Sequence, residues 1–232
     1  MNKTLVFTAT YNEVNNIEIL IKRITKCSKN VDILVIDDNS PDGTKKILFK
    51  LLKKLKKLNI IVRKDKLGLD TAHKFAYKYA VQKKYTNLIT MDADLSHDPI
   101  KINKMIKILN DHEFVIGSRY MIGGRCEMGA ARFLLSFLGN KFIKIFLNIN
   151  CNEFTSAYRG FNLKKLKKFD LSKIRARGYS FFMETVVCLE RSGFTIKEIP
   201  IYFKNRIHGE SKIPKIEIFR TLKNIILLYF KD

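Results

Sequence analysis

The chain has 232 residues, 46% of them hydrophobic and 28% charged, a globular balance with the length for one substantial core. Its 44 Lys and Arg against 22 Asp and Glu leave a net charge of +22, a field that attracts nucleic acid, anionic lipid headgroups or phosphorylated substrates. Composition argues against a disulfide scaffold and a spanning helix. Cys27, Cys126, Cys151 and Cys188 lie far apart without metal or redox spacing, and no run reaches the ~18 apolar residues a span needs. The N-terminal apolar run is too short for a signal peptide, so the expectation is a cytosolic protein with reduced thiols.

In chain order, the apolar runs 5–9, 32–36, 59–62, 87–91 and 113–118 predict five strands. Amphipathic helical patterns separate them, over residues 14–28, 43–57, 70–83 and 99–110. Short-connected alternation of this kind predicts an α/β fold, a mostly parallel sheet flanked by helices. Beyond it, residues 132–149 form a helix in which Arg132, Ser136, Asn140, Lys144 and Asn148 trace a polar stripe every four residues, beside Phe133, Phe137, Phe142 and Phe146. Two readings compete for its apolar side, core packing or a membrane interface. A helix over 180–192, a strand over 195–203 and a terminal amphipathic helix over 214–230 complete the chain. No linker or repeat divides it, so residues 1–232 read as one domain.

Ligands of open α/β sheets bind beyond the carboxyl ends of the strands. The turns there are TYNE, DDNSPDGT and DADLSHDP, all polar or acidic in a basic protein. Asp92 and Asp94, one residue apart after a strand, admit three readings: ligands for a divalent cation, an acid–base pair, or a plain turn. A hard cation takes one or two carboxylates plus substrate phosphates. An acid–base pair needs its carboxyls ~5 Å or more apart across one bond, which neighbouring loop residues supply poorly. Asp98 reads as a cap for the helix after Pro99. The chain contains neither a P-loop nor GxGxxG, so a bound nucleotide would need a metal and basic side chains. Arg119, Arg132, Arg159 and Arg206 with Lys212 are the separately placed cations that suit phosphate, and RIHGESK reads as a loop able to close over a ligand.

In the order TYNE, DDNSPDGT, KLGL, MDADLSHDP, GSRY, RGYSF, EIPIYF and RIHGESK, the chain resembles the dolichol-phosphate mannosyltransferases, inverting family 2 glycosyltransferases of GT-A fold. The resemblance runs from Leu5 to about Leu228, and RIHGESK after EIPIYF is its most specific part. It implies a nucleotide-sugar-binding half, 1–120, and an acceptor- and membrane-facing half, 121–232. It places nucleotide contacts at Tyr11, Glu13, Ile36 and Asp38, with Ala9 where the family usually has proline. Asp92, Ala93 and Asp94 would line the ribose and diphosphate. Asp92 and Asp94 would hold Mg2+ or Mn2+, with Ser96 at a third metal-site position where others have glutamine. Arg119 and Arg132 would engage phosphates of donor or acceptor, and Arg206 and Lys212 would close over the donor.

The implied reaction moves a hexose, mannose from GDP-mannose first, onto dolichyl or polyprenyl phosphate. A UDP-glucose-dependent transferase is the alternative, and a nucleic-acid-binding protein the remote one; no recognised nucleic-acid motif occurs. The acceptor implies a peripheral protein on the cytosolic face of a membrane, with a separate anchoring subunit as a further partner. Three departures fall around the sugar and acceptor: Asp70 and His73 in GLDTAH where the family often has GLGTAY, Glu153 and Ala157 in EFTSAYR where it has a DxTSGFR-like motif, and no tryptophan after GSRY.

Overall fold

The computed structural model describes residues 3–205 and 216–230. A seven-stranded sheet runs through it in the order β3-β2-β1-β4-β7-β5-β8. The strands are β1 Thr4–Thr10, β2 Val31–Asp37, β3 Leu58–Val62, β4 Asn87–Thr90, β5 Phe114–Ser118, β7 Arg159–Asn162 and β8 Ile196–Pro200. All neighbours pair in parallel except β7, which is antiparallel to both β4 and β5. The helices are α1 Ile17–Cys27, α2 Thr44–Leu52, α3 Leu69–Gln82, α4 Lys101–Ile108, α5 Ala130–Phe146, α6 Ser180–Arg191 and α7 Ile216–Tyr229.

Alternation along the strands sends side chains to two cores. Val6, Ile33 and Val35 pack with Ile17, Leu48 and Ile102 of α1, α2 and α4. Leu5, Phe7, Leu34 and Ile36 pack with Ala76 of α3, Phe182 of α6, and Ile143 and Ile225 of α5 and α7. Being covered on both faces explains why β1, β2 and β4 read as continuous apolar runs.

Two departures from the sequence reading stand out. β7 has no apolar alternation to announce it; its four residues are all buried. A Cβ on Gly160 would come within 2.7 Å of Val115 and 2.9 Å of Ile89, so glycine lets this strand lie between its neighbours. The single strand expected over 195–203 is two. β8 pairs with β5, while β9, Tyr202–Phe203, pairs with β6, Arg125–Cys126. Ile201 makes the handover, donating to the Ser118 carbonyl and accepting from the Arg125 amide.

Candidate active site

β1, β2, β4 and β5 all run the same way, so their carboxyl ends share one edge of the sheet. The order reverses between β1 and β4, with β2 and β3 on one side, the place where an open α/β sheet leaves a crevice. A cleft of about 250 Å³ lies there, lined by Ala9, Thr10, Tyr11, Glu13, Asp38, Lys66, Gly68, Leu69, Asp92, Ala93, Asp94, Gly178 and Tyr179. Seven of the sequence-assigned nucleotide residues thus meet in one place: Ala9, Tyr11, Glu13, Asp38, Asp92, Ala93 and Asp94. Ile36 does not join them; its side chain is wholly buried in the core.

The first two loops are stitched to each other by the chain's own groups. The amides of Asn12, Glu13 and Val14 donate to Ser40 Oγ, Thr44 Oγ1 and Asp42 Oδ2 at 2.9–3.0 Å. Asp37 is buried and accepts from Thr10 Oγ1 and from the amide and hydroxyl of Ser40. Asp37 and Asp42 therefore build the loop. Asp38 stands at the cleft, held by the Arg63 guanidinium and by the Gly68 amide at 3.1 Å.

The third loop carries the paired carboxylates. The Asp92 side chain is about one-third exposed, whereas Asp94 is 3% exposed. Asp94 Oδ1 accepts from the Ser96 amide at 3.1 Å and from its hydroxyl at 2.5 Å. Ser96, expected as a metal ligand, is wholly buried and spends its hydroxyl on orienting Asp94. Leu95 between them adopts φ +65°, a left-handed conformation that non-glycine residues enter only when their surroundings enforce it. Two carboxylates beside open space fit a hard cation that completes its shell with substrate phosphates and water. Among the described residues no three His, Cys, Asp or Glu gather as a self-sufficient cage. Asp98, expected as the cap of α4, stands two residues before the N-cap residue Ile100 and accepts from its amide at 3.1 Å, while the helix itself has no side-chain cap.

A second cleft of about 560 Å³ opens at the carboxyl end of β5, lined by Arg119, Gly124, Arg125, Cys126, Glu127, Met128, Ala130, Phe133 and Tyr202. Arg119 Nε and Nη2 donate to the two oxygens of Glu153 at 2.7 and 2.8 Å, and Nη2 also reaches Thr155 Oγ1. Glu153 is wholly buried. Burial opposes its charge, but the adjacent guanidinium and the Thr155 hydrogen bonds hold its carboxyl below the usual range. Arg132 lies exposed in the first turn of α5, between the cleft residues Ala130 and Phe133. Arg206 and Lys212 lie outside the described residues.

Arg159 corrects its phosphate reading. It is 1% exposed, with Nε and Nη2 donating to the carbonyls of Ser156 and Phe154 and its guanidinium 4.8 Å over the Phe182 ring. It is a core residue that ties the 154–156 turn to β7. The departures at 70 and 73 also find places. Asp70 accepts from the Gly178 amide at 3.2 Å, pinning the segment that brings Tyr179 to the cleft. His73 takes the part of an aromatic, meeting Phe7 and Phe182 edge-on with ring centroids 5.0 Å apart. Burial, then the Arg159 charge, push its pKa down to about 3.

Sequence reasoning missed Lys66, Leu69, Gly178 and Tyr179 as cleft residues, although KLGL and RGYSF contain them. Their signal was position after β3 and before α6; no local chemistry distinguished them. Lys66 Nζ sits 4.0 Å over the Tyr11 ring, a cation–π contact across the mouth of the cleft. Arg125, on the two-residue β6, was missed as well.

α5 divides the two readings of its apolar side: Phe133, Phe137 and Phe146 pack on the protein, while Phe142 stays exposed. Three members of the polar stripe face the protein: Ser136 Oγ accepts from Tyr120, Asn140 is buried and bonds the Ser136 carbonyl and the Phe154 amide, and Lys144 reaches Asn152; Arg132 and Asn148 are exposed. Phe133 and Phe137 pack on Tyr120, and Phe146 meets Tyr229 of α7 at a tilt, ring centroids 4.6 Å apart. The outward face is Leu134, Leu135, Leu138, Phe142 and Ile145, 48–69% exposed.

The chain and its fold resemble known proteins. Residues 5–169 match the profile of Glycosyl transferase family 2. The chain is 32% identical over 214 residues to the polyprenol monophosphomannose synthase of Mycolicibacterium smegmatis, covering 91% of this chain and 81% of that one. It is 31% identical over 212 residues to the undecaprenyl-phosphate mannosyltransferase of Micrococcus luteus, covering 91% and 87%. Its backbone superposes on glucosyl-3-phosphoglycerate synthase from Mycobacterium tuberculosis, solved with Mn2+, UDP and phosphoglyceric acid, with a TM-score of 0.68 at 16% identity over 98% of this chain and 77% of that one. The sheet, with its crevice at the β1/β4 reversal, is the GT-A arrangement. The profile match across most of the chain and the two relatives matched over 91% of it lead to one conclusion: this chain belongs to glycosyl transferase family 2.

Proposed function

We propose that this chain transfers mannose from GDP-mannose to dolichyl or polyprenyl phosphate, with inversion, giving a β-linked lipid-phosphate sugar. The relatives' names supply the sugar and the acceptor class. The observation that carries the reading is a juxtaposition along one sheet edge. A carboxylate-bearing cleft lies at β1 and β4, and an arginine-lined cleft lies at β5 beside a helix with an apolar outer face. In this reading residues 1–120 hold the donor and 121–232 receive the acceptor.

The acceptor phosphate is already an anion, so its oxygen attacks the anomeric carbon without a general base. The protein's task is alignment and stabilisation of the departing diphosphate. Tyr11, Glu13 and Asp38 bind the nucleoside end, with Arg63 holding Asp38 in place. Asp92 and Asp94 would hold Mg2+ or Mn2+, which would offset charge developing on the leaving group; Ser96 keeps Asp94 in position. Arg119, fixed by Glu153, with Arg125 and Arg132, draws the lipid phosphate into line. Arg206 and Lys212 follow β9 in the chain and would close over the donor.

No helix among the described residues is long and apolar enough to cross a membrane. The outer face of α5, together with the exposed Leu222, Ile226 and Leu227 of α7, would rest on the cytosolic face of a bilayer. The net positive charge would add attraction to anionic lipid, and a separate membrane subunit could share the anchoring.

The test is label transfer. The protein is incubated with radiolabelled GDP-mannose, Mn2+ and vesicles containing undecaprenyl phosphate, and the lipid extract is counted. A parallel arm uses UDP-glucose. Lipid label from GDP-mannose is the expected result; label from UDP-glucose alone overturns the donor, and label from neither overturns the reaction.

A further inference from the structure

His97 sits directly behind the carboxylate loop. It is 1% exposed, and its Nδ1 accepts the Asp92 amide at 3.1 Å. Its ring lies 5.0 Å from Tyr158 and 5.4 Å from Phe203, centroid to centroid. Accepting at Nδ1 puts the ring proton on Nε2, and that N–H is buried with no hydrogen-bond partner among the described residues.

An unpartnered buried donor is a cost that a phenylalanine between the same two rings would not carry. Packing alone therefore does not account for histidine at this position; the Nδ1 acceptor does. The loop it holds needs holding. Leu95 is left-handed at φ +65°, and the strain is opposed by a small set of contacts. Asp94 Oδ1 takes the Ser96 amide and hydroxyl, Ser96 O takes the Lys204 amide at 3.2 Å, and His97 takes the Asp92 amide. Of these, His97 fixes the first carboxylate residue and, through Phe203, ties it to β9.

We propose that His97 is the positioning residue of the Asp92–Asp94 loop, its Nδ1 acceptor on the Asp92 amide presetting that loop for a divalent cation. The proposal rests on the metal-binding part of the function above. Neither the ring nor its proton takes part in the transfer, so His97 is not a catalytic residue.

The test uses two variants of the full chain. His97→Phe keeps the ring contacts and removes the acceptor; His97→Asn keeps an acceptor near Nδ1 and removes the ring. Mn2+ binding in the presence of GDP is read from the free-ion signal in electron paramagnetic resonance, and exchange of the Asp92 amide by hydrogen–deuterium mass spectrometry. His97→Phe should weaken Mn2+ binding about 10- to 100-fold, the usual effect of losing a residue that supports a ligand, with faster Asp92 exchange and an unchanged melting temperature. His97→Asn should restore most of both. Wild-type Mn2+ affinity in His97→Phe overturns the proposal, as does weak Mn2+ binding in a well-folded His97→Asn. If His97→Phe does not fold, His97→Asn alone decides by the same criterion. A wild type that binds no Mn2+ overturns the metal reading instead, and the Asp92 exchange rates then decide whether His97 clamps the loop.

Discussion

Glu153 grips Arg119 through two hydrogen bonds, from Nε at 2.7 Å and Nη2 at 2.8 Å, with the carboxylate wholly buried. The pair sets the direction of the guanidinium at the mouth of the second cleft. Removing one partner strands the other, and breaking a buried ion pair costs about 3–5 kcal/mol. Glu153→Ala should therefore lower the melting temperature by on the order of 10 °C in a chain of this size. Glu153→Asp, which keeps the charge, should lose much less. Scanning calorimetry of both variants checks the difference; equal losses would mean that side-chain volume matters and charge does not.

Asp94→Asn removes charge while preserving shape. Donor turnover should fall on the order of 10²-fold or more, the scale of losing a principal electrostatic stabiliser. Ser96→Ala should cost about 10-fold in metal affinity or activity, as expected of a group that orients a ligand. Steady-state rates across a Mn2+ titration separate the two: Ser96→Ala should recover at high Mn2+ and Asp94→Asn should not. Recovery of Asp94→Asn would remove that carboxylate from the metal site.

The apolar face of α5 gives a membrane test. Leu135→Ser, Leu138→Ser and Ile145→Ser together should remove the salt-resistant part of flotation with anionic vesicles. Each should change stability by less than about 0.5 kcal/mol, because these side chains are exposed. Asn140→Ala on the inner face should do the reverse, costing about 1–3 kcal/mol by leaving the Phe154 amide unsatisfied, while its folded fraction still floats. Undiminished flotation of the triple variant at high salt would move the contact away from α5.

His73 predicts part of the acid response. Its pKa is pushed down to about 3 by burial and the Arg159 charge, against an ordinary value near 6.5 in the unfolded chain. Between those values the unfolded state binds the extra proton, so stability is full above pH ~6.5 and is lost as pH falls towards 3. His73→Phe should reduce the slope of unfolding free energy against pH by up to about 1.4 kcal/mol per unit within that window. Chemical denaturation at pH 4.5, 5.5 and 6.5 measures it; identical slopes for both proteins would show that His73 is not kept neutral.

Much of this architecture is a local property of the chain and is legible in the order of its residues. β1, β2 and β4 are continuous apolar runs because both faces of the sheet are covered, and α1 to α4 carry their burial in a 3.6-residue period. DADLSHDP after a strand places two carboxylates at a sheet edge, where α/β folds bind ligands, and seven assigned residues do line one cleft there. What only the tertiary structure decided depends on partners far away in sequence. The arginines look alike along the chain; a carboxylate 34 residues away makes Arg119 an ion-paired cleft residue, and the Phe182 ring with two carbonyls makes Arg159 part of the core. The stripe on α5 is visible in the sequence, yet which side faces inward is set by Tyr120, Asn152 and Phe154, which pair with Ser136, Lys144 and Asn140. Periodicity separates the two faces of a helix, but only the hydrogen-bonding groups of the surface it packs on determine which face is buried.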